Sequence, residues 1–178
     1  FHIPLQSGSD HILGLMRRRY TSAKFADRIE KIRSLMPDAF IGIDVITGFP
    51  GETEEDFMQT YDLLSRLKPS FLHIFPFSER AGTPAVDMPN KVPSYISTQR
   101  VARLEELCDV LHGDFCAKVV GGEADVLFES TMRGGMMYGY TGNYVRVKAP
   151  YRRDLINRVS RVRLVEMCDD HDVLAEIM

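Results

Sequence analysis

Cysteine is scarce and scattered in this 178-residue chain. The three that occur, Cys108, Cys116 and Cys168, form no CxxC or CxxxCxxC group. So odd and sparse a set excludes a disulfide framework, points to a reducing, cytoplasmic compartment, and predicts no metal bound by cysteine. No run approaches the ~20 apolar residues of a membrane span, and nothing resembles a secretory leader. A strong charge of one sign is missing too. With 22 Lys+Arg against 25 Asp+Glu the net charge is -3, so any nucleic-acid contact must come from a local patch. There are no internal repeats and no low-complexity segments. What is present is an ordinary hydrophobic share of 44%, enough for a real core in one large domain or two small ones.

Along the first two thirds, apolar runs alternate with helical periodicity. Phe1 to Leu5 reads as a strand, bounded by the turn-rich Gln6-Ser7-Gly8-Ser9, and Asp10 is expected to cap a short helix. A strand at the first residues is expected to mark a cut made inside a larger domain. Thr21 opens a second helix carrying Phe25, Ile29, Ile32 and Met36, and Pro37 stops it. Residues 39–47 (AFIGIDVIT) suit a strand buried on both faces. Thr53 and Asp56 offer a capping box to the helix that follows, and residues 70–77 (SFLHIFPF) form a third strand. A long helix begins near Ser94, with Val101, Leu104, Cys108, Leu111 and Phe115 in its stripe. Such alternation implies a parallel sheet with helical crossovers. After Gly121-Gly122 the texture changes to short β-type runs separated by turns, which predicts a small barrel or sandwich. The expected domains are therefore 1–120 and 121–178.

The most specific stretch is residues 44–53, DVITGFPGET. Two glycines and a proline between a strand and a capped helix force a sharp turn at the strand's C-terminal end, where parallel α/β folds bind ligands. Gly48 would let a flat ligand approach the backbone. The pattern is neither a Walker loop nor GxGxxG, and a plain βα turn remains the competing reading. Asp44 is an acid in an apolar strand, so it needs either a ligand hydroxyl or amine or an internal partner. His2 and His73 also sit in strands and read as hydrogen-bonded core residues. Cys108 and Cys116, eight apart on one helix, read as buried.

GFPGET after a strand, HIPLQSGSD at residues 2–10 with the following Ile12, Leu13 and Met16, and SERAGTP at residues 78–84 occur in order. Together they resemble the radical S-adenosylmethionine methylthiotransferase family over nearly the whole chain. RRRYT at 17–21, LHIFPF at 72–77 and GYTGNY at 139–144 resemble the branch acting on N6-threonylcarbamoyladenosine beside the tRNA anticodon.

The resemblance implies the C-terminal part of a (β/α) partial TIM-type barrel, followed by a small all-β TRAM barrel. It implies S-adenosylmethionine and [4Fe-4S] clusters in a longer parent enzyme. Neither cofactor is expected stoichiometrically in this chain, which contains no catalytic residue of its own and should be inactive alone. Cofactor contacts carried over are Gln6, Ser7, Arg18, Asp44 and Gly48. The second domain would grip the tRNA anticodon stem-loop, not DNA, through Arg133, Tyr140, Tyr144, Arg146, Lys148, Arg152 and Arg153. Cations fit phosphates, and tyrosine rings stack on unpaired bases. Competing readings are an enzyme acting on another modified adenosine or a ribosomal protein, and a non-catalytic RNA-binding adaptor. An inner sheet face carrying Ile43, Val45, Phe75 and Phe77 is expected to lie open, and self-association through the barrel edge is expected with it.

Overall fold

In the computed structural model, which describes residues 1–178, strands and helices alternate up to Ala117 and strands dominate thereafter. The order is β1 (His2–Gln6), α1 (Asp10–Leu15), α2 (Ser22–Leu35), β2 (Gly42–Thr47), α3 (Glu54–Leu67), β3 (Phe71–Pro76) and α4 (Ser94–Ala117). The strands form a parallel sheet in the order β1-β2-β3. Two compact units result, Phe1–Leu111 and His112–Met178. No helix is long and apolar enough to cross a membrane.

Local chemistry sets the helix ends. The Thr21 hydroxyl accepts from the Lys24 N–H, and α2 stops just before Pro37. At α3, Thr53 and Asp56 form the reciprocal capping box, and Lys68 ends the helix in the left-handed region (φ 46°). The start of α1 departs from expectation. Ser9 is its cap, while the Asp10 carboxylate accepts from the Ser22 N–H at 2.7 Å and ties α1 to α2.

One face of the sheet is buried under the helices. Leu5, Ile43, Val45 and Leu72 pack with Phe25, Ile29, Phe57, Leu64, Leu104 and Cys108, each large apolar side chain contributing roughly 1.5–3 kcal/mol. The expectation that β2 is buried on both faces fails. Ile43, Val45 and Thr47 are buried, but Asp44 and Ile46 between them are only half-buried. Strand parity then assigns the faces. Ile43 and Val45 point into the helix-covered core, and the opposite face carries Asp44, Ile46, His73 and the half-exposed Phe75.

In the second unit β4 (Glu123–Arg133), β5 (Met136–Thr141), β6 (Arg146–Pro150), β7 (Val159–Met167) and β8 (Val173–Ile177) close into a barrel in the order β4-β5-β6-β8-β7. β6 and β8 run parallel; the other pairs are antiparallel. This is the five-stranded connectivity of an OB-type barrel. Val126, Phe128, Met137, Val147, Ala149, Val162, Leu164, Val173 and Ala175 fill the interior. The alternation that turns Met137, Val147 and Ala149 inward turns Tyr138, Tyr140, Arg146 and Lys148 outward. Strand β8 escaped sequence reading, because its five residues follow the acidic turn at Asp169, Asp170 and Asp172.

Candidate functional site

At the C-terminal ends of β1 and β2 the chain makes two unusual turns side by side. β1 bulges between Pro4 and Gln6, and Gln6 adopts φ 70°. The Tyr20 hydroxyl spans this bulge, donating at 3.0 Å to the carbonyls of Pro4 and Leu5. Gln6 is 8% exposed, and its amide makes no hydrogen bond within the chain. Ser7 is fully buried instead, and its hydroxyl lies 3.3 Å from that of Thr60 and accepts from the Ser9 N–H at 3.2 Å. Its bonding holds the loop in shape.

Beyond β2, Gly48 has φ 77°, and a Cβ there would meet the Ser97 Oγ at 2.7 Å. Glycine is required at this position because α4 comes so close. The turn is pinned by Glu52, whose Oε2 accepts from the Gly48 N–H and from Arg100 Nη1, each at 2.7 Å. Burial pushes the Glu52 carboxyl above its ordinary range, against the lowering effect of the Gly48 N–H and the Arg100 guanidinium. Asp56 goes the other way. Burial raises it, but bonds from Ser9, Thr53 and His11 outweigh that and hold it at about 2. Beside Gly48 lies a cleft of about 290 Å³ lined by Pro50, Phe77, Glu79, Lys91, Ser94 and Ser97 among others.

The residues assigned to the cofactor do not gather at one point. Gln6 and Gly48 share the strand ends. Arg18 is exposed just beyond α1, at a turn in which its own N–H donates to Leu13. Asp44 sits lower in β2, paired with His2. Asp44 thus has a partner within the sheet, and His2 stands outside the core, its side chain 60% exposed. Sequence reading missed Arg100 and Thr60, which lie in no motif, and the bridging role of Tyr20, although it lies within RRRYT.

S-adenosylmethionine fits the strand ends. A nearly buried amide without an internal partner, at Gln6, offers both a donor and an acceptor. A cluster does not fit the cysteines. The Cys108 thiol is engaged with the Leu72 backbone, burial pushes Cys116 up to about 11, and Cys168 stands on a separate turn.

On the barrel, β5 and β6 present one outward face. Tyr138 is opposite Lys148 and Tyr140 opposite Arg146. The Arg146 guanidinium lies 4.6 Å over the Tyr138 ring, and the Tyr140 and Tyr144 rings are 5.5 Å apart. Arg133 ends β4 at the hairpin, and the Tyr151 N–H donates to Gly135, so Arg152 and Arg153 lie close to that hairpin. The cations are not bare. Arg146 pairs with Asp172, Lys148 with Asp170 and Arg152 with Asp154. In an OB-type barrel this second-and-third-strand face is where oligonucleotides bind.

A family model described as the radical SAM superfamily matches residues 1–64. The threonylcarbamoyladenosine tRNA methylthiotransferase MtaB of Bacillus subtilis (strain 168) is 40% identical over 93% of this chain and 38% of its own length. The tRNA-2-methylthio-N(6)-dimethylallyladenosine synthase of Thermobifida fusca (strain YX) is 47% identical over 71% of the chain and 26% of its own length. The MtaB of Treponema pallidum (strain Nichols) is 39% identical over 83% of the chain and 34% of its own length.

The chain belongs to the radical SAM methylthiotransferase family. It spans well under half the length of these curated relatives. The buried Glu52–Arg100 pair is the device that fixes the GFPGET turn against α4.

Proposed function

We propose that this chain is part of a tRNA methylthiotransferase that adds a 2-methylthio group to N6-threonylcarbamoyladenosine next to the anticodon, in the cytoplasm. The observation that carries the RNA half is the β5–β6 face. Three tyrosines, an arginine and a lysine share the side of an OB-type barrel suited to single-stranded loops. The branch is supported by likeness to MtaB over 93% of the chain, which includes the terminal barrel.

In this reading residues 121–178 are a TRAM-like grip on the anticodon arm, and the strand ends of β1 and β2 receive S-adenosylmethionine. That cofactor, with an iron–sulfur cluster held by cysteines other than these three, supplies the radical chemistry of the family. This chain's own part is to bind and orient. Gln6 offers its amide to the cofactor, Glu52 and Arg100 hold the Gly48 turn in register, and Tyr20 keeps the β1 bulge from relaxing. Arg18, exposed beyond α1, is available to a carboxylate.

The test is nucleoside analysis of tRNA from cells lacking the parent gene. Loss of 2-methylthio-N6-threonylcarbamoyladenosine, with the precursor retained, is the expected result. Loss of the dimethylallyladenosine derivative instead would assign the chain to the other branch, which the 47% likeness over 71% of the chain favours. Unchanged tRNA would overturn the reading.

A further inference from the structure

We propose that the open face of the three-stranded sheet carries a divalent transition-metal site of the zinc type, built from His2, Asp44 and His73. This proposal stands apart from the tRNA reading and from the strand ends proposed for the cofactor. The three residues come from three adjacent strands. Asp44 pairs directly with His73 in the β2–β3 register, and His2 lies two residues before Pro4, the β1 partner of Asp44. Side chains two apart on a strand share a face, so all three project from the side the helices leave uncovered. Their ligand atoms all lie within 4.8 Å of one another. His2 Nε2 bonds Asp44 Oδ1, and the His2 and His73 rings stand 4.5 Å apart, tilted by 41°.

An ordinary histidine–aspartate pair accounts for two of these residues and not for the third. The imidazole of His73 makes ring contacts with His2 and Phe71 but no hydrogen bond. Its position depends on Gly42. A Cβ at that residue would come within 3.2 Å of His73 Nε2 and 3.6 Å of its Cδ2. The bare backbone of β2 thus lets the His73 ring lean across Gly42, the residue opposite His2. A half-buried imidazole with free nitrogens, beside a second imidazole and a carboxylate, is a donor set with one ligand atom per strand.

The donor types select the metal. Two imidazoles and one carboxylate suit Zn²⁺, Co²⁺, Ni²⁺ or Fe²⁺, while Ca²⁺ and Mg²⁺ favour all-oxygen shells and Cu⁺ favours sulfur. Zinc–ligand bonds of roughly 2.0–2.2 Å place tetrahedral ligand atoms about 3.4 Å from one another. Closing the cluster to that spacing takes side-chain rotation only, because the β-sheet backbone already sets the register. Three protein ligands leave a fourth position for water or a substrate oxygen, the open pattern of reactive rather than purely structural zinc sites. The 60% exposure of the His2 side chain gives the ion a path in.

The test uses the 178-residue chain, stripped with a chelator and titrated with Zn²⁺ by calorimetry and with Co²⁺ by visible absorption. One equivalent should bind, with Co²⁺ giving the intense bands of a four-coordinate site. His73→Ala and Asp44→Asn should each weaken Zn²⁺ binding by at least about tenfold, since even changes around a metal site cost that much. His2→Gln, at an exposed position that the fold tolerates, should do the same with an unchanged circular dichroism spectrum. Gly42→Ala should weaken binding without removing a ligand, and His171→Ala should leave it intact. Absence of saturable Zn²⁺ binding by the wild-type chain would overturn the proposal. So would binding that persists at full affinity in His2→Gln and His73→Ala, which would move the ion elsewhere.

Discussion

Replacing Arg100 by methionine tests how the GFPGET turn is held. Arg100 is 4% exposed, and its guanidinium is shared between the Glu52 carboxylate at 2.7 Å, the Glu52 carbonyl at 3.3 Å and Glu54 at 3.3 Å. It also lies 5.4 Å above the Phe57 ring. Methionine keeps most of the apolar stem but leaves the Glu52 charge buried with only the Gly48 N–H to answer it. Removing one member of a buried pair costs about 3–5 kcal/mol at neutral pH. The cost must depend on pH. Burial already raises the Glu52 pKa against the opposing pull of the Gly48 N–H and Arg100. For a raised carboxyl the folded state holds its proton longer than the unfolded state, so stability falls as pH climbs from the unfolded pKa toward the folded one. Loss of Arg100 lifts the folded pKa further, each added unit being worth about 1.4 kcal/mol. The Arg100→Met penalty is therefore largest near pH 7.5 and markedly smaller at pH 5. Urea unfolding followed by helical circular dichroism at both pH values measures it. The α-helices lie within residues 10–117, so the signal reports mainly the first unit. Glu52→Gln in the same background should recover much of the loss. A penalty under about 1 kcal/mol at pH 7.5, or an equal one at pH 5, would refute the pairing argument.

Four further outcomes are expected. Gly48→Ala should cost clearly more than Gly82→Ala: both have positive φ (77° and 81°), but only Gly48 faces Ser97 at 2.7 Å, so the control isolates the roughly 1–2 kcal/mol backbone term; equal thermal shifts would mean that α4 simply moves aside. Asp56, held at about 2, contributes stability that is present above about pH 4 and lost as pH falls toward 2; an acid titration of Asp56→Asn should lack that part of the loss, while Thr53→Ala should cost about 1 kcal/mol at any pH where Asp56 is charged. Changing Arg146 and Lys148 to alanine should weaken anticodon-arm binding and flatten its salt dependence by roughly 0.7 for each phosphate no longer neutralised, and Tyr140→Ala should cost on the order of 1–3 kcal/mol if a base stacks there; an unchanged slope would return these residues to a solvated face. The outer edges of β1 and β3 have no strand partner within the sheet, so copies should pair through them at high concentration; a light-scattering mass that stays monomeric would mean the edges are protected, as the Tyr20 hydroxyl already protects two β1 carbonyls.

What was legible in the sequence was what local chemistry decides. Thr21, Thr53 with Asp56, and Pro37 announce helix ends through groups one to four residues away, and all act as expected. The outward alternation of Tyr138, Tyr140, Arg146 and Lys148 was equally readable, since strand parity needs no knowledge of the partner. What failed depends on residues far apart in sequence. Asp10 looks as good a cap as Ser9, and only Asp56, 47 residues beyond Ser9, explains why Ser9 takes that place. Asp44 finds His2 at a separation of 42, and Glu52 finds Arg100 at 48. The open face of β2 was misassigned for the same reason. An apolar run such as GIDVIT says that one face is buried without saying which, until the helices of the first unit are in place over Ile43 and Val45. The net charge on the β5–β6 face also depends on residues distant in sequence. Asp170 stands 22 residues from Lys148 and Asp172 stands 26 from Arg146, yet the β7–β8 turn sets them directly against these cations. A polyanion must therefore displace or share these carboxylates to engage the cations. Burial already raises Asp172 toward its neutral form, opposed by Arg146, so the buried one of the two counterweights is also the one whose charge is held least firmly.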